Sequence, residues 1–172
     1  MDRRSVLVQL SVASAGVMLW PACRQEPQFI SGYPQLKLTQ TQVDLLNQYG
    51  AVLLPIQEEK LENPESRTQF LLTMLNDVHS PENINSFING LQHFEKNTKK
   101  ITGKIFLDLD IKNQLTLIRD MDDKKDENSD LSFFHRTIKN YTLQYFTGSK
   151  YYLTEHLGYA MIPGKYQGCV AF

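Results

Sequence analysis

Cysteine is scarce in this chain. Cys23 and Cys169 are the two that occur among 172 residues, so no disulfide framework holds the fold. Long apolar runs are scarce too. The one from Val6 to Trp20 falls short of the roughly 20 apolar residues that a bilayer-spanning helix needs, and it stops at Pro21. No block of basic residues extends beyond Lys99-Lys100. Deleting residues 1–22 removes Asp2, Arg3 and Arg4, which moves the formal net charge from −1 to −2. That balance excludes a nucleic-acid partner.

The chemistry-bearing motifs are missing as well. There is no Gly-x-Gly-x-x-Gly and no Gly-x-x-x-x-Gly-Lys, the common devices for cradling a dinucleotide or a phosphate. There is no Gly-x-Ser-x-Gly elbow and no Cys-x-x-Cys-His for covalent haem. His79, His93, His135 and His156 have no partner at ligand spacing. His93 and His135 are expected at the edges of packed stripes. The acidic stretch Asp120–Asp130 fails as a calcium loop. Counting from Asp126, the position that requires glycine is Leu131 and the twelfth is Thr137. A solvated loop is expected there. Cys169 lacks the cationic setting that activates a thiol. The expectation is a chain with no catalytic residue, no cofactor-binding residue and no metal site.

What is present begins with Arg3-Arg4 ahead of the mildly hydrophobic run. This pattern looks like a twin-arginine signal, an address read by a receptor. Residues 1–22 are read as that signal. Ala22-Cys23 resembles a lipoprotein cleavage site, although Trp20 and Pro21 depart from the usual residues before it. Lipidation of Cys23 and a chance cysteine both stay open. Residues 23–38 read as a linker, because prolines and Gly32 break any period. Residues 39–172 form a usual length for one domain.

Helix signals dominate that domain. Thr39-x-x-Gln42 has capping-box spacing, and Pro55 ends the helix that follows. Phe70, Leu71, Met74, Leu75 and Val78 give a second apolar stripe. Ser80-Pro81-Glu82 starts a third helix. Ile84, Phe87, Ile88, Leu91 and Phe94 form its stripe. Asp110 can cap a fourth helix carrying Ile111, Leu115, Ile118 and Met121. Leu131, Phe134, Ile138, Tyr141 and Tyr145 mark a fifth, and a short sixth is expected from Ser149 to Leu157. No convincing alternating strand run occurs. The fold class is all-α, a single helical domain of five to six helices with short connections.

The chain ends in aromatics, glycines and a cysteine rather than in a polar tail. Such a tail has to pack on something, either its own helices or a partner. Tyr145-Phe146-Thr147-Gly148-Ser149 and Pro163-Gly164-Lys165-Tyr166-Gln167-Gly168-Cys169-Val170 carry a resemblance to the gluconate 2-dehydrogenase subunit 3 family. Leu38, Thr39, Gln42 and Pro55 match its opening. The loop Ile56-Gln57-Glu58-Glu59 and Lys150 depart from its pattern. The resemblance implies a non-catalytic escort subunit of an exported flavin-dependent sugar or alcohol dehydrogenase. FAD would sit in the large partner, and a cytochrome c subunit is a further candidate partner. The chain would be periplasmic, touching the membrane only through a lipid anchor or through the complex. The twin-arginine route carries folded cargo, which suits a subunit that leaves the cytoplasm with a cofactor-loaded partner. Tyr145, Phe146, Pro163, Gly164, Tyr166, Gly168 and Cys169 are the expected partner interface. A free-standing exported lipoprotein that binds an envelope partner or a small ligand is the alternative.

Overall fold

Local hydrogen bonds set the helix starts. Thr39 accepts from the Gln42 backbone while the Gln42 side chain returns to the Thr39 backbone, and α1 (Gln40–Leu53) follows. Pro55 lies just beyond its end. A single turn, α2 (Glu58–Leu61), leads to a second reciprocal box between Ser66 and Gln69 that opens α3 (Arg67–Val78). Ser80 caps the Asn83 amide, and Pro81 takes the first position of α4 (Pro81–Thr102). Gly103, at φ 73°, closes α4 in the left-handed conformation that glycine adopts without strain. A 3₁₀ turn (Phe106–Asp108) precedes α5 (Ile111–Asp123). Ser129 caps α6 (Asp130–Thr147), and a π-helical turn (Tyr152–His156) ends the series.

The computed structural model describes residues 28–123, 129–160 and Gly164. Among these, no strand forms; the one β-type contact is an isolated bridge between Phe29 and Thr39. No helix among them is long and apolar enough to cross a membrane. The all-α expectation holds, with five helices of twelve residues or more and the short turn after Ser149. Arg3, Arg4 and Cys23 lie outside the described residues, as do Pro163, Tyr166, Gly168 and Cys169.

The centre of the domain is an aromatic cluster. Tyr49 of α1 meets Phe94 of α4 edge-on at 5.3 Å and Phe134 of α6 at 5.6 Å. Phe106 from the 3₁₀ turn lies 5.2 Å from Phe94. Each of these rings is almost fully buried, and pairs at such angles add to plain area burial. The most extensive helix contact joins α4 to α6. Gly90 permits it: a Cβ there would fall 2.1 Å from the Asp130 carbonyl and 2.6 Å from Cβ of Phe134.

Four expectations change. Leu36 and Leu38, in the stretch read as linker, are buried in the core. Val78 lies outside the core, at 63% exposed. On α5 the inward positions are Gln114 and Ile118, each 1% exposed, whereas Ile111 is 70% exposed. Gln114 is inside because it has work there. Its side-chain NH2 donates to the Phe106 carbonyl at 2.8 Å, and its oxygen accepts from Gln48 at 3.0 Å. A buried amide with both ends paired costs little. Finally, the acidic stretch is helical at both ends, Asp120–Asp123 in α5 and Asp130 at the start of α6, while residues 124–128 lie outside the described residues.

Candidate partner-binding surface

The last turn of α6 puts neighbouring residues on opposite sides. Consecutive helical residues are about 100° apart, so Tyr145 and Phe146 diverge. Tyr145 turns inward and is 4% exposed. Its hydroxyl donates to the Glu65 carbonyl at 2.9 Å, and its own carbonyl accepts from Asn63 at 3.1 Å. Burial pushes its phenol above the ordinary tyrosine value, so it stays protonated and donates. Tyr145 was expected as interface. It is instead a core residue that shows a partner only one wall of a cleft. That cleft, about 200 Å³, is bounded by Asn63, Pro64, Phe70, Gln144 and Gly148 as well.

Phe146 faces the other way, toward the chain's next turn. Thr147-Gly148-Ser149 redirects the backbone. The Gly148 amide donates to the Gln144 carbonyl at 2.9 Å. Ser149 is fully buried; its hydroxyl donates to the Phe146 carbonyl at 2.6 Å and accepts from the Tyr152 amide at 3.1 Å. The result is a fixed corner. Phe146 stacks edge-on against Tyr152 at 5.0 Å, and His156 stands 5.4 Å from Tyr152 and 5.5 Å from Tyr151. Beside this group Leu143 is 58% exposed, Leu157 62% and Tyr159 58%. Gly164 is exposed, with open space around it.

A polar relay runs from the buried Tyr49 and His135 to the exposed Asp122. The Tyr49 hydroxyl is 2.6 Å from Nδ1 of His135, and Nε2 of His135 is 2.9 Å from Asp122. Asp122 also accepts from Lys139. With Asp122 ionised, Nε2 carries the proton it donates, which leaves Nδ1 to accept from the Tyr49 hydroxyl. The hydrogen bond from His135, and then that from Lys139, hold the Asp122 carboxyl below the usual aspartate value. Burial pushes Tyr49 far up, with the Asp122 charge adding to it. Sequence reasoning placed His135 at a stripe edge. It is 6% exposed, and no short-range pattern links it to Tyr49, 86 positions away. The relay joins side chains of α1, α5 and α6. Among the described residues no group of three or more His, Cys, Asp or Glu could hold a metal ion.

Residues 40–164 match the family described as gluconate 2-dehydrogenase subunit 3. The chain belongs to that family. No curated protein and no solved structure matches the chain. As a gluconate 2-dehydrogenase subunit 3 member it is a subunit of a multi-subunit dehydrogenase. The matched span contains every helix among the described residues and the aromatic corner around Gly148. Tyr166, Gly168 and Cys169 fall beyond it.

Proposed function

We propose that this subunit is the non-catalytic escort of an exported FAD-dependent sugar or alcohol dehydrogenase, aiding its maturation, export and stability. The observation that carries the reading is the aromatic corner formed by Phe146, Tyr151, Tyr152 and His156 with Leu157 and Tyr159 exposed beside it. Rings packed on one another at this corner are held in place by Ser149 and stay partly exposed. Aromatics of this kind anchor interfaces, burying about 150–250 Å² each. The flavin belongs to the large partner in this reading, and a cytochrome c subunit is a further partner. Arg3-Arg4 would direct the folded pair through the twin-arginine route to the periplasmic side, with Cys23 as a candidate lipid anchor.

The alternative, a free-standing lipoprotein that binds a small ligand, has one feature in its favour. An open groove of about 560 Å³ lies between α1 and α3, with Tyr33, Asp44, Asn47 and Glu58 among its walls. Several of its polar groups already pair with each other or with neighbours. Gln40 donates to Asp44 at 2.9 Å, Thr68 to Asn47 at 3.1 Å, and Arg67 to Glu58 at 3.0 Å. A ligand would have to displace those bonds, which weakens this reading.

The test is co-expression with the large flavoprotein, comparing the full chain with a version truncated after Met161 and with Leu157→Glu/Tyr159→Glu. The escort reading expects both variants to keep their helical circular dichroism and melting point but to lose co-purification. Retained co-purification by the double variant would remove the aromatic corner from the interface.

A further inference from the structure

We propose that the corner joining α4 to α5 is a docking face for an anionic lipid surface. Five of the chain's lysines lie between residues 95 and 112: Lys96, Lys99, Lys100, Lys104 and Lys112, all exposed. The acids in the same stretch are Glu95, Asp108 and Asp110, which leaves it at +2 within a chain whose formal net charge is −1. Two of the three acids accept hydrogen bonds from neutral amides and keep their charge. Glu95 accepts from Gln42 at 3.4 Å, and Asp110 accepts from Asn113.

Three isoleucines stand among these lysines. Ile101 is 68% exposed, Ile105 46% and Ile111 70%. Helix polarity accounts for Lys99 and Lys100, which sit in the last turn of α4. It accounts for neither Lys104 and Lys112 nor the isoleucines. The corner is also held in shape. The Thr102 hydroxyl donates to the Thr98 carbonyl at 2.8 Å and accepts from the Lys104 amide at 3.2 Å, while the Gly103 amide reaches the Lys99 carbonyl at 2.9 Å. Exposed aliphatic side chains interspersed along the chain with exposed lysines suit an anionic bilayer: the stems and isoleucines enter the interfacial layer while the ammonium groups meet lipid phosphates.

The path of the chain points the same way. Ile105 and Phe106 share a small cavity with Thr41 and Leu45 of α1, so the first turns of α1 lie beside the corner. Phe29 bridges to Thr39 just before that turn, and the Ile30 amide donates to the Leu38 carbonyl at 2.9 Å. The described chain therefore enters the domain at the lysine-bearing end. Cys23 precedes Phe29 by six residues, a reach of at most about 20 Å. The aromatic corner lies toward the other end of α1, where Arg67 binds the Leu54 carbonyl and Asn63 binds Tyr145. A membrane at one end leaves the opposite end free for a large partner.

The test uses the full chain with phosphatidylcholine vesicles, with and without phosphatidylglycerol, read by lysine acylation and mass spectrometry. Phosphatidylglycerol vesicles are expected to protect Lys99, Lys100, Lys104 and Lys112 and to leave Lys60 and Lys150 reactive. Added salt should abolish the protection. Replacing those four lysines by glutamine should reduce phosphatidylglycerol-dependent co-sedimentation at least tenfold with an unchanged circular dichroism spectrum. Footprinting of the unaltered chain stands alone should that variant fold poorly. Equal acylation with and without phosphatidylglycerol overturns the proposal. So does protection that arises only when the flavoprotein is added, which would make the corner a protein contact. The vesicle assay contains no dehydrogenase, so its outcome is separate from that of the escort reading.

Discussion

The Tyr49 hydroxyl and Nδ1 of His135 are 2.6 Å apart, inside a cluster where Tyr49 is otherwise surrounded by phenylalanine rings. This one bond ties α1 to α6 and fixes the ring orientation of His135 toward Asp122. Tyr49→Phe keeps the ring and removes the donor, leaving a buried acceptor unpaired. The expected loss is about 1–3 kcal/mol in urea unfolding. His135→Phe with Tyr49→Phe should recover part of that loss, because neither partner is then orphaned. An unchanged unfolding midpoint for Tyr49→Phe alone would mean that the bond contributes nothing.

Gly90 is expected to tolerate no larger side chain. The Cβ of Gly90→Ala would collide with the backbone carbonyl of Asp130, which cannot swing aside as a side-chain tip could. The α4–α6 interface would have to separate. Overpacking costs typically about 1–3 kcal/mol and more where backbone is involved, so loss at or above the top of that range is expected by thermal melting. Gly103→Ala offers a contrast: open space surrounds it, and only its positive φ resists.

His79 makes the fold sensitive to mild acid. Its Nε2 lies 2.7 Å from the Tyr141 hydroxyl, and burial lowers its pKa from the ordinary value of 6.5. The folded state therefore binds this proton less readily than the unfolded chain does. The stability it supplies is complete above 6.5 and drains away as pH falls from there toward the folded value. Melting temperatures measured between neutral and acidic pH should decline for the native chain and decline less for His79→Gln. Identical slopes would show that His79 titrates alike in both states.

Arg67 is expected not to be replaceable by lysine. Its side chain is 7% exposed, with one terminal nitrogen on Glu58 at 3.0 Å and the other on the Leu54 carbonyl at 3.2 Å. Gly50 leaves the room for this, since a Cβ there would meet Cδ of Arg67 at 3.0 Å. Lysine brings a single point charge in place of a planar fork and cannot serve both acceptors with that geometry. A loss of about 1–3 kcal/mol is expected for Arg67→Lys by urea unfolding. A loss close to zero would reassign the site to simple charge pairing.

The helix boundaries and the family were legible in the sequence, because their causes are local or carried by short motifs. Thr39 with Gln42, Ser66 with Gln69 and Ser80 ahead of Pro81 settle their hydrogen bonds within a few residues, and the apolar stripes on α4 and α6 repeat at helical spacing. Only the tertiary structure decided which side of each stripe has a partner. Ile111 and Gln114 occupy neighbouring turns of α5, and the polar residue is inside because Phe106 and Gln48 complete its hydrogen bonds. Tyr145 and Phe146 are chemically similar, yet Asn63 and Glu65 draw one inward while Ser149 turns the other toward Tyr152. The relay from Tyr49 through His135 to Asp122 depends on three helices converging, and residues 86 positions apart leave no periodic trace of that meeting.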